Sequence, residues 1–147
     1  GGARRMIHLA ALLPLLLFAL PATAQVRPFS CVGAEQVEDD VFSVPFARGS
    51  ARVTDAARTA LASAEEALRA NPDRVSCVLG HSGQEGGAST SIRLAAERAR
   101  AVAEALSTRG IERDRLRAEA RSAQFSPRVR AAEPPARTVT IVVLPAP

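Results

Sequence analysis

Short segments in which apolar residues alternate with polar ones, or form an unbroken run, predict the strands of this chain. They lie at residues 41–46, 74–79, 114–122 and 137–144. In the first segment Phe42, Val44 and Phe46 share one face, while Pro45 cannot donate a hydrogen bond to a neighbouring strand. The first strand is therefore predicted to lie at a sheet edge or to contain a bulge.

Two longer segments with apolar residues three or four positions apart predict helices between these strands. The first helix begins at the N-cap Thr54 and ends before Pro72. The second begins after one of three hydroxyl residues at 89–91 and ends at Gly110. The predicted buried faces consist of Ala57, Leu61, Ala64 and Leu68 in the first helix, and of Ile92, Ala95, Ala99, Val102 and Leu106 in the second.

Strands that alternate with helices predict an α/β fold, an α+β sandwich in the order β-α-β-α-β-loop-β, with the helices packed on one mixed sheet. Residues 80–87 are polar and rich in glycine, and residues 124–135 contain three prolines, so both segments are predicted as loops. Residues 25–40 show no periodicity and are predicted as an irregular N-terminal extension before a domain at residues 41–147.

Residues 1–24 have the three features of a secretory signal peptide. A positive flank at residues 4–5 precedes an apolar run at residues 7–20, and Ala22 and Ala24 precede a cleavage site. The alternative is a membrane anchor, but a span needs about 20 apolar residues. We expect a periplasmic protein without a membrane span in its mature part. The residue after the cut is glutamine, not a lipidated cysteine, so a partner protein would have to supply any tie to the outer membrane.

The charged residues argue against one class of partner. All 19 basic residues are arginine, and 15 acidic residues leave a net charge of +4. Aromatic residues make up 3% of the chain, and no basic run is interleaved with them. A nucleic-acid partner is therefore not expected.

Cys31 and Cys77 are the only two cysteines. In an oxidising compartment this even count predicts a disulfide that fastens the N-terminal extension to the domain. The alternative is two separate thiols, in which case Cys77 and the nearby His81 could form a nucleophile or half of a metal site. No second close pair of ligands accompanies them, so we expect no enzymatic activity, no metal and no cofactor.

Five short motifs, in the same order, resemble those of the OmpA-like domain family, whose members bind peptidoglycan. They are F-A-R-G-S-A-R-V from Phe46, V-L-G-H-S from Val78, L-A-A-E-R-A from Leu94, L-S-T-R-G-I from Leu106 and R-T-V-T-I from Arg137. The resemblance covers residues 41–144. It implies a module that binds the peptide stem of peptidoglycan noncovalently.

In this family a loop aspartate and a helix arginine hold the ammonium and carboxylate groups of diaminopimelate in the stem. The resemblance places the arginine at Arg98, whose planar guanidinium suits a carboxylate. It places Gly83 at the aspartate position, next to Ser82. Glu85 could present a carboxylate from the same loop, and the helix start at Ser91 would add backbone N–H groups. These five residues are the expected ligand-binding set.

Two alternatives remain open at this point. Arg98 could be one of several arginines on a solvated helix face, together with Arg93 and Arg100. The fold could also be retained with a decayed wall site. The domain would then act as a structural or protein-interaction module of the cell envelope, with an envelope protein as its partner.

Overall fold

The computed structural model describes residues 28–85, 88–122 and 135–147, together with Gly2 and Pro14. Most of the predicted signal peptide and most of the predicted loop at residues 124–135 lie outside these residues. The helices and strands are β1 (Val41–Pro45), α1 (Arg58–Ala70), β2 (Ser76–His81), β3 (Gly83–Glu85), β4 (Ala88–Thr90), α2 (Ile92–Thr108), β5 (Leu116–Arg121) and β6 (Thr138–Val143).

A mixed sheet of four strands, in the order β1-β6-β2-β5, forms the centre of the domain. β2 and β5 are parallel, whereas β6 is antiparallel to both β1 and β2. Both helices pack on one face of this sheet, which confirms the predicted α/β sandwich. β1 lies at an edge of the sheet, as Pro45 predicts.

Helix α1 follows the predicted pattern closely. The Thr54 hydroxyl accepts a hydrogen bond from the N–H of Ala56, and a short 3-10 turn (Asp55–Ala57) leads into the helix. The helix ends at Asn71, whose extended backbone is the conformation that a following proline favours. The predicted apolar face is buried, at Ala57, Leu61, Ala64 and Leu68.

Helix α2 begins at Ser91 and ends in the predicted glycine stop. Gly110 has a φ of 97°, and its N–H donates to the Ser107 carbonyl while the N–H of Ile111 donates to the Leu106 carbonyl. The predicted buried face is correct except at Ile92, which is 55% exposed. Ile92 is the first residue of the helix, directly after the cap Ser91.

Gly80 determines how closely α2 approaches β2. A Cβ at Gly80 would lie 1.9 Å from the carbonyl oxygen of Ala95, so no larger residue fits while the helix keeps this position.

The predicted loop at residues 80–87 is wrong in two respects. Gly80 and His81 complete β2, and β3 and β4 pair in an antiparallel hairpin.

The second face of the sheet is covered by residues 28–37, here called the N-terminal segment. Its apolar side chains form a second core cluster with the outer face of β2 and β6. Arg121 of β5 donates to the Glu35 carboxylate and to the Cys31 carbonyl. The members of this cluster are Phe29, Cys31, Ala34, Val37, Val41, Cys77, Leu79, Val142 and Leu144. The N-terminal segment is thus a third layer of the domain, although its sequence shows no periodicity.

The predicted disulfide between Cys31 and Cys77 is confirmed. It joins the N-terminal segment to β2, and both half-cystines are buried. The alternative of two separate thiols is therefore wrong. Neither of the described helices is long and apolar enough to cross a membrane.

Replacing both Cys31 and Cys77 by alanine is expected to lower the free energy of unfolding by up to about 4 kcal/mol, because the bond closes a loop of 46 residues. Urea denaturation of the double variant measures the loss. The wild-type protein under reducing conditions is the control and should behave like the variant. A double variant as stable as the oxidised wild type would contradict the structural role of the bond.

Candidate functional site

Arg98 lies on the face of α2 that packs against the sheet, and it is only 1% exposed. Its Nε donates to the Ser50 carbonyl at 2.7 Å, and its Nη2 donates to the Ala47 carbonyl at 3.1 Å. Its Nη1 donates to the Ala136 carbonyl and to the Thr90 hydroxyl, both at 3.2 Å. Three separate segments of the chain therefore converge on one guanidinium.

The guanidinium of Arg98 also lies over an aromatic ring. Its guanidinium carbon lies 5.4 Å from the centre of the Phe46 ring, within the range of a cation–π contact. Burial lowers the pKa of Arg98, and the charge of Arg137 lowers it further. An arginine stays protonated in proteins all the same, so a buried positive charge stands at this end of the sheet. The alternative that Arg98 belongs to a solvated helix face is wrong; Arg93, with 89% of its side chain exposed, does belong to one.

The hairpin β3–β4 places Gly83 beside a residue that contacts Arg98. Gly83 pairs with Thr90, whose hydroxyl is one of the four acceptors around the guanidinium. Gly83 has a φ of 147°, a conformation that L side chains rarely adopt. The structure therefore brings the predicted loop and the predicted arginine together, and it holds the loop position in a conformation suited to glycine.

Two other predicted ligand-binding residues use their polar groups inside the domain. The N–H and the hydroxyl of Ser82 both donate to the Arg121 carbonyl, at 2.8 and 3.0 Å. The hydroxyl of Ser91 accepts the N–H of Leu94 at 3.0 Å and so caps α2. The side chain of Glu85 lies outside the part of the chain that the structure describes. Its role stays a prediction.

Three residues at this end of the sheet were not among the predicted site residues: Phe46, Thr90 and Arg137. Phe46 and Thr90 surround Arg98, and the Nε of Arg137 is buried without a hydrogen-bond partner. Arg137 is a charged residue at the start of the predicted strand at residues 137–144 and begins the last of the five motifs, which is the signal that the sequence offered for it. Phe46 was predicted only as part of the first strand and its motif, and Thr90 only as a possible helix cap.

His81 lies on the opposite face of the sheet, beneath the N-terminal segment. It is 1% exposed, and its Nε2 lies 2.7 Å from the Thr140 hydroxyl oxygen. Burial lowers the pKa of His81 from 6.5 to about 4. Cys77 is in a disulfide and offers no thiolate, which removes the alternative of a Cys77–His81 nucleophile. Among the described residues, no group of His, Cys, Asp or Glu is arranged to hold a metal ion.

Comparisons with known proteins place this arrangement in context. A family model described as the OmpA family matches residues 45–138. No curated protein matches the chain. The matched stretch contains α1, α2, the hairpin and all of the residues around Arg98.

Several solved structures are similar to the chain. The peptidoglycan-associated lipoprotein from Burkholderia pseudomallei is 23% identical, with 70% of this chain and 90% of that chain covered and a TM-score of 0.57. The cell wall anchor of the T6SS from Pseudomonas aeruginosa is 29% identical, with 73% and 81% covered and a TM-score of 0.54. The OmpA-like domain of FopA1 from Francisella tularensis is 18% identical, with 76% and 79% covered and a TM-score of 0.56.

The lowered pKa of His81 gives the domain a defined pH dependence. The unfolded chain binds a proton at this histidine below about pH 6.5 while the folded domain stays neutral down to about pH 4, so stability falls as the pH falls through this interval. For the protein beginning at Gln25, in which His81 is the only histidine, we expect a loss of about 2 kcal/mol between pH 7 and pH 5.

Urea denaturation at the two pH values measures this loss, with His81→Gln as the matched variant. The variant should be almost equally stable at both values. Glu65 does not interfere, because its hydrogen bond to Arg109 lowers its pKa below the ordinary 4.5 and it stays ionised down to pH 5. A variant that keeps the full loss would show that another group is responsible.

Proposed function

Since this chain belongs to the OmpA family, we propose that it is a noncovalent peptidoglycan-binding module of the bacterial cell envelope. The names of two similar structures, a peptidoglycan-associated lipoprotein and a cell wall anchor, support this proposal. In this account residues 1–24 export the protein to the periplasm. The domain binds the wall without catalysing a reaction.

The observation that carries the proposal is the convergence of the hairpin, the start of α2 and Arg98 at one end of the sheet. Thr90 belongs to the hairpin, precedes the helix cap Ser91 and accepts a hydrogen bond from Arg98. The buried charge of Arg98 and the N–H groups in the first turn of α2 both favour an anion there. A carboxylate of the peptide stem is the anionic group that peptidoglycan offers to such a site.

A second candidate function is supported by the internal hydrogen bonds that the predicted site residues make. Arg98 is buried with four acceptors around it, and Ser82 and Ser91 both hold internal hydrogen bonds. Groups engaged in this way could serve the architecture of the domain alone. The domain would then be a structural or protein-interaction module of the envelope, with a protein partner in place of the wall.

Retention of the unaltered domain on purified sacculi distinguishes the two candidate functions. We expect the domain at residues 25–147 to be retained by sacculi whose stems contain diaminopimelate, and at least about tenfold less by sacculi whose stems contain lysine, because lysine lacks the second carboxylate. A tenfold difference corresponds to about 1.4 kcal/mol, which is close to the smallest contribution expected of one hydrogen bond to a charged group. Both wall preparations are first stripped of bound proteins and teichoic acids. Co-sedimentation measures the retained fraction.

Arg93→Ala is the matched protein control, since Arg93 lies on the exposed face of α2 and should not change retention. Equal retention on both kinds of sacculi would show that the wall is bound through some other group. Absence of retention on either kind would exclude the wall-binding proposal and leave the structural candidate.

A further inference from the structure

Arg137 carries a cationic group whose burial the fold does not explain. The residue is largely buried, and its Nε is removed from solvent without a hydrogen-bond partner. Buried donors in folded proteins are almost always paired, so an orphaned one calls for an explanation. Arg98, which is buried at the same end of the sheet, shows the usual outcome, because its donors meet carbonyl and hydroxyl oxygens.

A short 3-10 turn places Arg137 next to the hairpin. This turn (Pro135–Arg137) comes directly before β6 and packs against β2 and both strands of the hairpin. On its other side the N–H of Phe46 donates to the Arg137 carbonyl at 2.9 Å. The positive charge of Arg137 lowers the pKa of Arg98, which is expected for two cations that lie close together.

Arg98 and Arg137 are two cations at the same end of the sheet. None of the ion pairs among the residues that the structure describes includes either arginine. The carbonyl of Ala136, directly before Arg137, is an acceptor for Arg98, so the two residues belong to one cluster. Gly83, at the adjoining end of the hairpin, contributes no side chain that could neutralise them.

We propose that Arg137 is a ligand-binding residue of this site and that the site recognises a carboxylate without requiring a free amine beside it. In this arrangement the protein satisfies the donors of Arg98, whereas the Nε of Arg137 has no protein acceptor, and a ligand carboxylate that reached Arg137 would supply one. The inference rests on the proposed wall binding and names the wall component. A crosslinked stem, whose side-chain amine is in an amide bond while its carboxylate remains, should bind as well as an uncrosslinked one.

Chemical modification of diaminopimelate-containing sacculi tests this selectivity on the wild-type domain. One sample is N-acetylated, which removes the ammonium groups, and another is amidated at its carboxylates. Retention on the acetylated sample should stay within about twofold of the untreated one, whereas amidation should lower it at least about tenfold. Arg137→Gln should lower retention on untreated sacculi by a similar factor, and Arg93→Gln should not change it.

The possible failures are distinguishable. Loss of binding on acetylated sacculi, or unchanged retention of Arg137→Gln, would overturn this inference and leave wall binding intact. Retention that survives amidation would also overturn it. Absence of retention on untreated sacculi would overturn the proposed function and this inference together. The experiments on modified sacculi use the unaltered protein, so they do not depend on how the variant folds.

Discussion

The buried guanidinium of Arg98 holds together the end of the sheet at which the candidate site lies. A charged group that is 1% exposed is tolerated only where acceptors replace the lost water, and here the acceptors come from three separate segments of the chain. Ala47 and Ser50 follow β1, Thr90 ends the hairpin and Ala136 precedes β6. At the next turn towards the helix start, Gly80 lets the backbone of α2 touch β2. The two contacts together fix the position of α2, and with it the geometry of the site.

The second face of the sheet depends on a different arrangement. The matched family residues begin at position 45, whereas the segment that covers this face lies at residues 28–37. All six residues of β6 are buried, because helices cover one face and the N-terminal segment covers the other. A polar residue on the covered face needs a partner there, and Thr140 has one in His81. The disulfide, the Arg121–Glu35 ion pair and this histidine therefore belong to one layer, on the face opposite the site.

The sequence predicted the parts of this structure that depend on local patterns. Alternation identified β6, helical spacing identified α1 and α2, and two cysteines allowed only one intramolecular pairing. Gly80 was misread as the start of a loop, because its role is a contact with a helix fifteen residues later, which no local pattern records. The three-residue strands of the hairpin are too short and too polar to show a period. Arg98 was predicted as a site residue, but its partners were not, because most of them are backbone carbonyls, which any residue can provide.

We assign different tasks to these two neighbouring arginines: Arg98 stabilises the fold, and Arg137 binds the ligand. Urea denaturation of Arg98→Gln and Arg137→Gln at pH 7 tests this assignment most directly. Arg98→Gln should lower the free energy of unfolding by about 3 kcal/mol or more, because acceptors in three segments lose a charged donor. Arg137→Gln should stay within about 0.5 kcal/mol of the wild type or be more stable. Equal losses in the two variants, or a fully stable Arg98→Gln, would contradict this account.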